Sequence, residues 1–157
     1  YSSANSYSAS PPSTPYQSGI EKISFASDGD ATNIGDVLSA LLVTNASSQS
    51  SSTSGYISGG TTHPTLYPGT SHLNIQKFSF ASDGNAADVA DLANESRATQ
   101  GISSINYGYS VGGSRLPTTP TALGTMISKF AFASDGNMAD TTYDLTVSRD
   151  DLGNTQV

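Results

Sequence analysis

A nine-residue segment that recurs three times limits the folds open to this chain more than any other feature. It spans 77–85, with the sequence Lys-Phe-Ser-Phe-Ala-Ser-Asp-Gly-Asn, and related copies span 22–30 and 129–137. Equivalent residues of successive copies lie 55 and 52 residues apart. A nearly constant spacing of this size is typical of repeat proteins, in which each copy forms one supersecondary unit that packs against its neighbours.

A second marker keeps the same spacing and divides the chain into repeats. It begins at Tyr56 and at Tyr109, each followed three residues later by Gly-Gly, and a weaker copy begins at Tyr1. We therefore predict a single repeat domain over 1–157, whose three repeats are 1–55, 56–108 and 109–157. Because Tyr1 is in register with the other two tyrosines, we expect residue 1 to be a cut inside a longer array.

Each nine-residue segment has the pattern of a β-hairpin. Phe78 and Phe80 alternate with polar residues, as in a half-buried strand. Asp83 and Gly84 then suit a two-residue type I′ turn, which needs positive φ at both positions. This turn would place Phe78 opposite Val89, and it predicts that Gly84→Val costs more than about 1 kcal/mol of stability. The equivalent pairs in the other repeats would be Ile23–Ile34 and Phe130–Thr141.

Other segments are less regular. The Ser-rich run 47–54 favours a polar strand, with a flexible linker as the alternative. The segment 56–60 is predicted to be a short strand that ends in Gly-Gly, where the chain turns with positive φ or approaches another backbone closely. The Ser- and Pro-rich segment 1–19 is predicted to be mostly extended loop.

Composition excludes several classes of protein. Hydrophobic residues make up 35% and charged residues 12% of the 157, which together with the repeats indicates an ordered all-β domain. Thirteen acidic against six basic side chains give a net charge of −7, so a nucleic-acid partner is not expected. The chain has no cysteine and no apolar run long enough to cross a membrane, so we predict no disulfide, no thiolate metal site and no membrane insertion.

Acidic residues around the turns are the first candidates for a site. Oxygen ligands at alternate positions suit calcium, but the same Asp-Gly-Asn sequence also suits a hairpin turn, and no bidentate Glu follows. We prefer the turn. The residues concerned are Asp28, Asp30, Asp36, Asp83, Asn85 and Asp91.

Histidines and tyrosines are the remaining candidates. His63 and His72 are interpreted as surface residues, since a metal site would need further ligands. Tyr16, Tyr67 and Tyr107 offer flat area for a sugar, with structural packing as the alternative. No nucleophile lies beside a His–acid pair in the sequence. We predict no catalytic, cofactor-binding or metal-binding residue, no cofactor, and a protein that is not an enzyme.

The order of these features resembles the kelch repeat. From Arg97 the sequence runs through a strand, an aromatic-plus-diglycine marker at 109–113, a variable loop, an aromatic-bearing strand, a tight turn and a last strand. Arg149 has the same position in the repeat as Arg97. The resemblance implies a β-propeller with four antiparallel strands per blade, so the expected fold is all-β with kelch-like blades in a larger ring or oligomer. The chain departs from the pattern in having no Trp, and repeat one lacks both the diglycine and the Arg.

This Ser- and Gly-rich variant also resembles repeats in virion proteins of marine bacteriophages. That resemblance implies a non-enzymatic structural or adhesive protein, such as a tail fibre or appendage, located in the virion or outside the cell. Its expected partners are other copies of itself or other virion proteins, with host surface glycans as further candidates. The alternative is a glycan-binding module of a secreted or cell-surface protein.

Three repeats are too few for a closed ring, since propellers typically have four to eight blades. We therefore expect that 1–157 does not stand alone as a monomer. Either further repeats lie outside this sequence, or two chains join head to tail into six blades. In that dimer 149–157 would pair with the strand at Tyr1 of the partner.

Overall fold

The computed structural model describes residues 2–3, 18–38, 46–60, 72–115 and 122–149, and every structural statement below concerns these residues. They form β-strands joined by turns and loops, and they contain no helix. The predicted all-β class is confirmed. No helix in these ranges is long and apolar enough to cross a membrane.

All strand pairs in the described ranges are antiparallel, and the strands form four sheets. The first sheet contains β1 (Ser2–Ser3), β2 (Gly19–Lys22) and β3 (Thr32–Asp36). The second sheet contains β4 (Ser47–Ser50), β5 (Ser54–Ser58), β6 (Asn74–Ser79) and β7 (Ala87–Asp91). The third sheet contains β8 (Gln100–Ser103), β9 (Tyr107–Val111), β12 (Met126–Ala131) and β13 (Ala139–Asp144), and a small hairpin of β10 (Ser114–Arg115) and β11 (Ala122–Leu123) extends from it.

The sheets repeat with the period of the sequence. In the second and third sheets each strand pairs with the next along the chain, apart from the β10–β11 hairpin inserted between β9 and β12. Their third strands, β6 and β12, begin 52 residues apart, at Asn74 and Met126. The repeated segments of the sequence therefore occupy equivalent places in successive sheets.

The prediction of a two-residue type I′ turn is wrong. In the second sheet Lys77 pairs with Ala87, so the connection spans 80–86, and Phe78 does not face Val89. Neither Asp83 nor Gly84 has positive φ. The turn fails because 80–86 reaches out to the neighbouring sheet instead of closing tightly on its own hairpin.

The equivalent cross-strand predictions in the other repeats are also wrong. Lys22 pairs with Thr32 and Lys129 with Ala139, so the connections span 23–31 and 132–138. An irregularity in each pairing shifts the register further along the strands. The predicted pairs Ile23–Ile34 and Phe130–Thr141 are consequently not opposite each other.

Two other local predictions are confirmed. The first half of the Ser-rich run 47–54 forms strand β4, as the preferred interpretation stated, and 51–53 connect it to β5. Gly59 and Gly60 follow β5 with φ of 64° and 99°, and Gly112 and Gly113 follow β9 with φ of 66° and 89°. Glycine adopts these angles without the steric cost that a Cβ atom would add.

The core lies in two layers between the sheets. The first layer joins residues of the first and second sheets, and the second layer joins residues of the second and third. Each sheet thus buries its face against the next one, as in a stacked repeat array. We call the two contact regions the first junction and the second junction. The first layer contains Ile20, Ile34, Val37, Ile57, Phe78 and Ala86, and the second contains Tyr56, Ile75, Ala90, Leu92, Phe130 and Met138.

Candidate interaction sites at the sheet junctions

At the first junction, the turn of the second sheet binds the last strand of the first sheet. The backbone N–H of Gly84 donates to the carbonyl of Ile34 at 2.7 Å, and that of Ala86 donates to the carbonyl of Asp36 at 2.8 Å. The Asn85 side-chain oxygen accepts a hydrogen bond from the Asp36 N–H at 3.0 Å. The Asp-Gly-Asn sequence therefore connects two sheets.

The second junction repeats this arrangement. The N–H of Met138 donates to the carbonyl of Asp91 at 2.7 Å, and the Asn137 side-chain oxygen accepts from the Asp91 N–H at 3.1 Å. The ring of Phe132 stacks on that of Tyr56, with centroids 5.0 Å apart and an interplanar angle of 21°. The Asn side-chain bond and the backbone bond to the carbonyl of Asp36 or Asp91 thus occur at both junctions.

The repeated lysines add ion pairs across the junctions. Lys22 Nζ lies 2.9 Å from Asp83 Oδ1, and Lys77 Nζ lies 2.7 Å from Asp135 Oδ2. In each case the lysine belongs to one sheet and the aspartate to the turn of the next. The third lysine, Lys129, is exposed, lies 5.0 Å from the centroid of the Tyr107 ring, and makes no ion pair with another described residue.

Tyr56 and Lys77 share Asp135 and have perturbed pKa values. The Tyr56 hydroxyl donates to Asp135 Oδ1 at 3.2 Å, while Oδ2 accepts from Lys77. Burial raises the pKa of Tyr56, and the negative charge of Asp135 raises it further. The hydrogen bond to Asp135 raises the pKa of Lys77. Both groups therefore hold their protons more tightly than free side chains do, and the cause is the packing and the charge of Asp135 at the junction.

A second contact region lies between β4 of the second sheet and the first two strands of the third sheet, β8 and β9. The Gln49 side-chain amide donates to the Tyr109 carbonyl at 3.0 Å, and the Ser50 N–H donates to the Ser103 hydroxyl at 2.8 Å. Gly101 packs directly against the backbone of Ser48, and a Cβ atom at Gly101 would overlap it. The polar strand β4 therefore serves as a close-packed partner of β8.

The predicted calcium candidates occupy different places. Asp83 and Asn85 bind the first sheet, and Asp36 accepts a hydrogen bond from the Ser18 hydroxyl at 2.6 Å. Asp28 and Asp30 lie exposed on the turn of the first sheet. Within the described residues, no group of three or more His, Asp or Glu side chains is arranged to hold a metal ion.

The histidine and tyrosine candidates are not brought together. His63, Tyr16 and Tyr67 lie outside the described residues. His72 is half-buried, with its Nε2 atom enclosed, and burial lowers its pKa. Tyr107 lies partly exposed on β9.

One small cavity lies beside the second junction. Its volume is about 10 Å³, and its lining includes Met126, Thr99 and Ser128. The hydroxyls of Thr99 and Ser128 are buried and have no hydrogen-bond partner among the described residues. The space holds no more than one water molecule, so it is not a site for a larger ligand.

Sequence reasoning did not identify the junction contacts. The nine-residue segment was interpreted as one hairpin closed by its own Asp-Gly turn, although each copy begins with Lys and carries Asp six residues later. The available signal was the recurrence of a cation and an anion in every repeat, which suits contacts between neighbouring copies. Comparison with known protein families and with curated proteins gives no match for this chain.

Proposed function

We propose that this chain is a non-enzymatic structural repeat protein whose sheets are kelch-like blades of a β-propeller. In this proposal the protein is a component of a phage virion, such as a tail fibre or appendage, with adhesion as an associated role. The recurring residues act by joining successive sheets. By these contacts they hold the array of sheets together mechanically.

The observation that carries this proposal is the use of the recurring residues. In both junctions the Lys, Asp and Asn of the repeated segment bind the neighbouring sheet. A catalytic or ligand-binding segment would direct such polar groups toward an open cleft. Here two complete sets of them are taken up by contacts within the fold, which favours a structural role.

The order and packing of the strands support the propeller proposal. The second and third sheets each consist of four antiparallel strands in a meander. Their first strands, β4 and β8, lie side by side. Blades of a propeller are four-stranded sheets arranged around a central channel, so adjacent first strands are what the proposal requires.

The proposed location is tested by labelling particles. Antibodies raised against the purified chain would be used for immunogold electron microscopy of virions from the source material. Gold on a fibre or appendage is the expected result. If gold labels cell surfaces and the virions carry no gold, the virion assignment is overturned.

The alternative is a glycan-binding module, and exposed aromatic rings favour it. Tyr143 is 74% exposed, and Tyr107 is partly exposed beside Lys129. Exposed tyrosines offer flat apolar area together with a hydroxyl that can bind a sugar. A glycan array probed with the purified chain separates the two functions, because specific binding that is lost in Tyr143→Ala would favour the module.

A further inference from the structure

The third sheet has a face that is open where the equivalent faces of the other sheets are covered. Ile20 and Ile75 lie two residues before the repeated lysine and are both 0% exposed. Ile127 has the same position in the third sheet and is only half-buried. Tyr109 pairs with Lys129 as Tyr56 pairs with Lys77, yet Tyr56 is 1% exposed and Tyr109 is half-buried. Among the described residues, no turn covers this face as one covers its counterparts.

The first sheet carries a turn that covers no other sheet in the described part of the chain. Phe25 is 93% exposed, whereas Phe80 packs against the first core layer and Phe132 against the second. Ile23 is 46% exposed, although the equivalent phenylalanines of the other repeats are buried. Asp28, the counterpart of Asp83 and Asp135, is exposed as well. The turn 23–31 thus carries the residues that correspond to those of the two junctions, but among the described residues it packs against no other sheet.

We propose that the turn 23–31 of one chain docks on the open face of the third sheet of a second copy. The open face is defined by Tyr109, Ile127, Lys129 and Asp144. The same chain contains this interface twice, at the first and second junctions, so the geometry of the contact is already given. Charge matches at one point of this interface, where Asp28 of the turn would meet Lys129, which makes no ion pair with another described residue.

The backbone of the open face has the required hydrogen-bonding groups. Asp144 lies opposite Met126 as Asp91 lies opposite Asn74. The residue that follows each of these strands, Leu145 or Leu92, donates its N–H to the carbonyl of the residue before β12 or β6. Those two bonds are equal in length at 2.7 Å. Asp144 is therefore the counterpart of Asp91, with both its N–H and its carbonyl at the strand end where the turn binds.

Four contacts follow when the second junction is used as the template. They are a carboxylate–ammonium pair between Asp28 and Lys129, a stacked pair between Phe25 and Tyr109, and two backbone bonds at Asp144. The N–H of Asp144 would donate to the Asp30 carboxylate, and its carbonyl would accept from the Ala31 N–H. Each contact has an equivalent at the second junction.

Such an interface joins two different surfaces, so it leaves one copy of each surface free in a pair of chains. Heterologous contacts of this kind produce a closed ring when the rotation closes and an open filament when it does not. This inference rests on the proposed structural role and names the partner as a second copy of the chain. Its test uses only the purified protein, so its failure would leave the virion-labelling test untouched.

The test measures self-association by sedimentation velocity over about 1 to 500 μM protein. The wild-type chain is expected to associate with a constant that weakens as salt increases, since a surface ion pair contributes. Asp28→Lys and Lys129→Glu each place like charges at the interface and are expected to weaken association about tenfold or more. Glu95→Lys changes net charge as Asp28→Lys does, at an exposed site outside the interface, and is expected to associate like the wild type.

Mixing the two charge variants gives the decisive result. Where the turn of the Asp28→Lys chain docks on the open face of the Lys129→Glu chain, the two reversed charges attract each other. At the alternate contact the unsubstituted Asp28 and Lys129 form the native pair. Equimolar mixing is therefore expected to restore association to near the wild-type strength, which neither variant reaches alone. A wild-type chain that stays monomeric at every concentration, or association unaffected by either variant, would overturn the proposal, as would a mixture that fails to recover.

Discussion

Gly35 and Gly84 meet across the first junction, and alanine substitution of each gives a matched test of how closely the sheets pack. A Cβ atom at Gly35 would overlap the carbonyl group of Gly84, which is backbone and cannot rotate away. A Cβ atom at Gly84 would have no atom within 4 Å. Gly84 also lacks positive φ, so alanine fits its backbone.

The expected magnitude follows from what the turn must give up. To admit a methyl group at Gly35, the turn has to withdraw and lengthen the 2.7 Å bond from the Gly84 N–H to the Ile34 carbonyl. Losing one backbone hydrogen bond costs about 1 kcal/mol, and displaced packing adds a comparable amount. Ala90 stands at the position of Gly35 in the second sheet and is buried there, so the fold tolerates alanine at this place. We expect Gly35→Ala to cost about 1–2 kcal/mol without unfolding the protein.

Gly84→Ala is expected to be neutral, or to stabilise by up to about 0.5 kcal/mol, because alanine restricts the unfolded chain. Urea unfolding followed by tyrosine fluorescence would measure both, and amide hydrogen exchange at residue 84 would report the loosened bond. A larger loss for Gly84→Ala than for Gly35→Ala would refute the junction geometry. It would instead support the type I′ turn that the sequence predicted.

Three further predictions concern the charges. Lys77→Met is expected to cost about 1 kcal/mol in urea unfolding, because both partners of the Lys77–Asp135 pair are about 30% exposed; an unchanged midpoint would contradict this. The folded-state pKa values of Tyr56 and Lys77 are raised, so the stability that these two groups contribute is complete below about pH 10 and is lost as pH rises through the folded-state values. The melting temperature should therefore fall at high pH, and it should fall less steeply in Tyr56→Phe. Because burial lowers the pKa of His72, its contribution to stability is present above about pH 6.5 and is lost as pH falls through the folded-state pKa. His72→Gln should therefore reduce the fall in melting temperature below about pH 6.5, and an unaltered profile would argue against its burial.

The class of structure and its period could be predicted from the amino-acid sequence. Alternating apolar residues in a chain rich in Ser, Thr and Gly predicted antiparallel strands, and these lie close to the predicted segments. The Gly-Gly pairs predicted positive φ at residues 59 and 60, which the structure shows. These features are local, because they depend on side-chain alternation and on the steric freedom of single residues.

The role of the repeated turn depends instead on how the sheets pack. Taken locally, Asp83 and Gly84 favour a tight hairpin, whose cross-strand pair contributes about 0.2–1 kcal/mol. In the fold the same turn gains an ion pair, an Asn side-chain bond and two backbone bonds from a sheet about 50 residues away. Together with the apolar layer under it, that set outweighs the local preference. The sequence shows which residues recur. Contacts between copies depend on how the sheets stack, and the spacing of residues within one copy does not encode which residues of two copies meet.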